Sequence, residues 1–148
     1  MEIINYLKRT QSQTLAYFDL DPSVHHLTHQ EGKWNIRQIL CHLADAESLL
    51  YDRIRRVISE PRQVIWAFDQ DLWAKHLDYQ TFPLIISKQI FNSVREGIIY
   101  LAEKHYESSG GKEFIHSETG LRTLKDEFNK VAWHCENHLK QIEQALKK

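Results

Sequence analysis

The stretch Trp133-His134-Cys135-Glu136-Asn137-His138-Leu139 places two histidines four residues apart in a run with the periodicity of a packed helix. At about 100° per residue that spacing puts both imidazoles on one face, within reach of a single metal ion. A zinc protease would read H-E-x-x-H, with the glutamate on the ligand side to polarise water at the metal. Glu136 instead lies two residues past His134, about 200° around the helix, and reads as a solvated surface charge. The protease reading is excluded. Two others stay open. The pair contributes two ligands to a metal site, or it consists of core-edge histidines, which then need two sets of buried hydrogen-bond partners.

A third ligand has to come from another helix, and "ILCHLADAE" offers His42 on the edge of an apolar stripe. Glu47 falls near the centre of the same stripe, between Leu43 and Leu50. A carboxylate there either supports a polar site or meets a buried arginine or lysine. Rival constellations are weaker. His25 and His29 repeat the i, i+4 spacing in a polar segment and read as surface residues. His76 and His116 fall in connections and read as solvated. His105, at the end of a helical pattern, is a reserve ligand. A di-iron bundle would need two E-x-x-H pairs, and only Glu113–His116 fits, just after a double glycine. Cys41 and Cys135 each adjoin a candidate ligand but diverge from it by about 100°, and Cys135 reads as a small buried hydrophobe.

Four long amphipathic patterns must position these residues. The first covers about Glu2–Asp19, with Ile4, Leu7, Leu15 and Phe18 at helical spacing. In the second, Asn35 as N-cap faces Gln38 three residues on, Trp34 and Ile39 form a staple, and the stripe runs Ile36, Ile39, Leu40, Leu43, Leu50, Ile54, Val57 until Pro61. A connection with a short helix near Asp69–Leu77 follows. Pro83 suits a first helical position, and Ile86, Ile90, Val94, Ile98 and Leu101 continue to about Tyr106. The segment to Arg122 is irregular or a short hairpin. Thr123, with Asp126 in the reciprocal place, caps the last helix, whose seam is Leu124, Phe128, Val131, Cys135, Ile142 and Ala145. The expected fold is all-α, a four-helix bundle with a long crossover carrying a short extra helix, in one domain over residues 1–148.

Composition narrows the function classes. The 148 residues are 42% hydrophobic with a net charge of −1, which gives no electrostatic reason to expect nucleic acid or an anionic membrane. No apolar run approaches the roughly 18–20 residues of a membrane span. "MEIINYLKRTQSQTL" lacks the apolar core of a signal peptide, and two cysteines make no disulfide framework, so a cytoplasmic location is expected. There is no P-loop and no G-x-G-x-x-G.

"KWNIRQILCHLADAE", followed much later by "HCENHLKQI", resembles the DinB/YfiT-like superfamily in its Trp with a small polar cap, its H-[IL]-x-D-x-E helix and its late H-x-x-x-H. "FDQDLWAKHLDY" is similar to the D-[QE]-x-x-W segment of one branch. The resemblance spans the bundle end to end. It implies a four-helix bundle in which His42, His134 and His138 hold a divalent metal, zinc or nickel, and it implies a homodimer. It also implies chemistry on a small-molecule substrate, either metal-dependent hydrolysis or S-transfer from a thiol cofactor such as bacillithiol. Asp45 and Glu47 are then the candidates for a general base or for support of the ligands. The alternative is a non-catalytic bundle that binds a ligand or partner.

Overall fold

Two reciprocal side-chain caps set where the histidine-bearing helices begin. In the computed structural model, which describes residues 1–148, Asn35 Oδ1 accepts from the Gln38 amide and Gln38 Oε1 accepts from the Asn35 amide, both at 2.9 Å. Helix α2 (Ile36–Ser59) starts there. Thr123 and Asp126 repeat the arrangement at the head of α5 (Leu124–Leu146). Each cap satisfies amides that a helix start leaves without partners. Helix α1 (Glu2–Phe18) and helix α4 (Leu84–His105) complete the four long elements, and the short α3 (Gln70–His76) lies between α2 and α4. Pro83 takes the N-cap of α4 rather than its first helical position.

Helices α2 and α4, α2 and α5, α1 and α4, and α1 and α5 pack as neighbours. That order sets α2 beside α5, so His42 can meet the late histidine pair. The apolar interior falls into two large clusters and a small third one of Cys41, Ala74 and Tyr79. One large cluster contains Leu7, Leu50, Ile54, Ile98, Phe128 and Val131, and the other contains Phe18, Ile39, Leu43, Phe91, Cys135 and Ile142. A buried polar layer of Thr10, Thr14, Glu47 and Arg95 occupies the sequence positions between them on three helices.

The expected stripes of α2 and α5 are buried throughout. That of α4 is out of phase at its start and meets the covered face at Ile98. Ile86 and Ile90 are exposed, and the covered face is Ser87, Phe91, Arg95, Ile98 and Ala102. An arginine on the true stripe hides its period. The helical bundle is as expected, and the segment before Arg122 is the short hairpin of the two alternatives, extended to a small sheet. A three-stranded sheet joins β1 (Val64–Ile65), β2 (Glu113–His116) and β3 (Gly120–Thr123), with β1 parallel to β2 and β2 antiparallel to β3. The β2–β3 hairpin turns through Gly120 at φ 81°, a conformation open to glycine. No helix is long and apolar enough to cross a membrane.

Candidate metal centre

Helix α2 supplies His42, fully buried, and α5 supplies His134 and His138, half-buried. One ring nitrogen of each lies within 4.8 Å of the other two. His42 Nε2 is 3.1 Å from His134 Nε2. The ring centroids are 4.6 to 5.0 Å apart. Trp34 lies 4.8 Å from the His42 ring and Phe68 lies 6.4 Å from it, so aromatic side chains flank the group.

All three imidazoles are held neutral. Burial, then the neighbouring His138 and His134, pushes the His42 pKa down to about 2. Burial, then His138, Lys130 and Arg95, takes His134 down to about 3. Burial lowers His138 as well, against its hydrogen bond to Gln141. A neutral imidazole has one lone pair to give, and the bond on its other nitrogen decides which. His138 Nδ1 sits 2.8 Å from Gln141 Oε1; the amide oxygen only accepts, so Nδ1 carries the proton and Nε2 is free to ligate. His42 Nδ1 is buried with no hydrogen-bond partner. Three neutral imidazoles with ring nitrogens this close fit a divalent ion that takes nitrogen ligands.

Neither carboxylate expected as a base hydrogen-bonds a histidine. Asp45 accepts from the Tyr79 hydroxyl. Burial raises its pKa and that bond lowers it. Tyr79 packs edge-on against Trp34 at 6.4 Å, so two aromatic rings link Asp45 to the His42 ring. Glu47 is committed elsewhere. Arg95 Nη2 donates to its Oε2 at 3.0 Å and Arg95 Nε donates to Oε1, both residues being buried. Burial works against the Arg95 cation and Glu47 more than reverses it, raising the arginine pKa. The geometry keeps both charged. The buried-arginine reading of Glu47 is the one its contacts match.

Other expectations change with the fold. Glu136 is no free surface charge; it accepts from Tyr6 Oη and from Arg9 Nη2, the latter at 3.1 Å, tying α5 to α1 and pointing away from the triad. His25 and His29 are half-buried rather than superficial, and His25 Nε2 and His29 Nδ1 are buried without partners. His116 is buried, its Nδ1 accepting from the Glu118 and Thr119 amides, not solvated. On a strand Glu113 and His116 face opposite ways, which ends any E-x-x-H reading. His76 is exposed as expected. His105 lies outside the cluster, at the end of α4 remote from it. Both thiols are buried and burial raises their pKa, so neither is an activated nucleophile.

Two cavities adjoin the triad. One of about 370 Å³ is lined by His29, Lys33, Trp34, Asp71, Gln141 and His138 among others. The second, about 230 Å³, is bordered by Arg53, Phe68, His116, Lys130 and His134. Gln70 lines both. Nothing in the sequence pattern joined Arg53, His116 and Lys130, which come from a helix, a strand and a second helix.

The DinB superfamily profile matches residues 6–142. The chain belongs to the DinB superfamily. Relatives within reach of this DinB chain include a protein of Oceanobacillus iheyensis named "Putative metal-dependent hydrolase", 32% identical over 80% of this chain and 68% of its own length. Another of the same name from Halalkalibacterium halodurans is 28% identical over 98% of this chain and 82% of its own. The DinB bundle also superposes on YfiT from Bacillus subtilis with a TM-score of 0.90 at 20% identity, covering 99% of this chain and 85% of that one. That protein is described as "a probable metal-dependent hydrolase with an unusual four-helix bundle topology". The likeness establishes the shared fold.

Proposed function

We propose that His42, His134 and His138 hold one divalent cation, zinc or nickel, and that the protein is a metal-dependent hydrolase of a small molecule. The observation that carries this reading is the convergence of three imidazole nitrogens, each within 4.8 Å of the others, in a pocket that keeps them neutral. The names of the relatives agree with it. An ion so held supplies Lewis acidity at an open coordination place. The chain does the rest. Gln141 fixes the His138 proton on Nδ1, Trp34 and Phe68 shield His42 from water, and Asp45 holds Tyr79 against Trp34. Asp45 is then a positioning residue.

One observation favours S-transfer from a thiol such as bacillithiol as a second reading. Two cavities meet at the triad and share Gln70, which gives two reactants separate approaches to one ion. The experiment is an activity panel on zinc-loaded, nickel-loaded and chelated protein, with ester and amide substrates in one arm and thiol conjugation to an electrophile in the other. Turnover that disappears on chelation in the first arm supports hydrolysis, and in the second arm alone it supports transfer. Full metal loading with no turnover in either supports a non-catalytic metal-binding bundle. We place the protein in the cytoplasm and as a homodimer on the same footing; exposed Ile86 and Ile90, one turn apart on α4, support a second copy, and sedimentation tests it.

A further inference from the structure

The molecule has two buried arginines, and they are treated differently. Arg95 is fully engaged: its guanidinium donates to both Glu47 oxygens, to the Leu7 carbonyl and to Thr10 Oγ1. Arg53 is 94% buried, at 6% exposure, yet donates one hydrogen bond, from Nη2 to the Trp66 carbonyl at 3.1 Å. No carboxylate lies within 4.0 Å of it. A guanidinium has five N–H donors, and a buried cation without an acid partner is costly. Lys130, half-buried on α5 one turn before His134, likewise has neither a hydrogen bond nor an ion pair among the side chains. Both border the cavity of about 230 Å³ that His116 and His134 also line.

The acids nearby do not discharge these cations. Glu118 borders the cavity from an exposed, solvated position. Glu127 is fully buried below, but both its oxygens lack hydrogen-bond partners and it forms no ion pair within 4.0 Å. Burial raises its pKa, against Lys130, Arg53 and Arg122, and burial lowers that of Lys130, against Glu127.

We propose that this cavity is a recognition subsite for an anionic group, a carboxylate or a phosphate, on the small molecule that reaches the triad, with Arg53 and Lys130 as its binding residues. The subsite fixes the substrate class: a compound carrying its reactive centre at one end and an acid group at the other. Arg53 offers a planar fork that matches two oxygens of either anion, and Lys130 adds a point charge. This assignment rests on the proposed metal reading for what happens at the reactive end, and on Arg53, Lys130 and the cavity alone for the anion.

The test uses the full chain, with and without one equivalent of zinc, titrated with propionate, with methyl phosphate, and with chloride as the ionic-strength control. Nitrogen-15 correlation spectra follow the Nε–H signals of Arg53 and Arg95. The expected result is saturable movement of Arg53 with one of the two acids, beyond the chloride response, while Arg95 stays still. Which acid saturates names the group. Lys130→Gln and Arg53→Gln should each weaken that binding about tenfold or more, the usual loss for a charge-assisted hydrogen bond. Should Arg53→Gln fail to fold, Lys130→Gln still decides. Saturation in a protein that takes up no zinc keeps the subsite and removes the metal reading. Stoichiometric zinc with no saturable movement of Arg53 removes the subsite and keeps the metal. Unchanged affinity in both variants also overturns it.

Discussion

The mid-bundle layer and the triad end both bury polar groups, and they differ in completeness. In the layer, Glu47, Arg95, Thr10 and the Leu7 carbonyl close on one another, and Thr14 Oγ1 lies 3.2 Å from Cys135 Sγ. Around the triad, His42 Nδ1, His29 Nδ1 and both Glu127 oxygens lack partners, and Arg53 makes a single bond. A satisfied network stabilises one arrangement of the helices, whereas unsatisfied groups are tolerated where something else is to bind. The layer therefore does structural work, and the triad end keeps the unpartnered groups, a reserve for the metal and anion proposed to bind there.

Breaking the layer should give the largest effect. Glu47→Gln leaves Arg95 buried beside a neutral amide and is expected to cost about 3–5 kcal/mol of stability, with metal stoichiometry unchanged in the folded protein. Denaturant titration and metal analysis on one preparation check both halves. Loss of metal with little loss of stability would put Glu47 back at the site. At the triad end the same comparison predicts a gain: zinc or nickel at a hundredfold excess over Kd should stabilise the protein by about 2.7 kcal/mol. A melting curve that ignores metal and chelator alike would remove that reserve.

Smaller perturbations sharpen the contrast. Gln141→Leu removes the acceptor that sets the His138 tautomer, and should weaken metal affinity about tenfold or more while hardly moving stability. Equilibrium titration against a competing chelator measures it. Acid should act on the triad before the layer. His42 and His134 titrate near 2 and 3 in the folded chain, and a free histidine titrates near 6.5, so the unfolded chain gains protons that the folded one refuses. Stability of the metal-free protein should be full above about pH 6.5 and fall as pH drops through it, by up to about 1.4 kcal/mol per pH unit for each histidine. His42→Ala should flatten that slope. An equal slope in the variant would mean that carboxylates elsewhere set the acid response.

The legible parts of the molecule were those written within one helix. Asn35 with Gln38, and Thr123 with Asp126, are local reciprocal pairs, so both starts could be read from three-residue spacings. His134 and His138 carried their own facing information, and His42 sat beside a stripe that proved buried throughout. What crosses between elements left little trace. Arg95 interrupts the true stripe of α4, and Ile86, Ile90 and Val94 offered a false one that solvent now covers in part. Strand β1 is two residues long, Val64–Ile65, too short for alternation, and exists because β2 offers it an edge. His116 was unreadable for the same reason, since its burial depends on that sheet.

The central claim is that three particular histidines make one metal site. Its most direct measurement is the metal content of protein purified without a histidine tag and re-equilibrated with zinc or nickel. The expected value is one ion per chain, near zero after His42→Ala or His138→Ala, and unchanged after His25→Ala or His29→Ala. Full occupancy in the His138→Ala protein would contradict it.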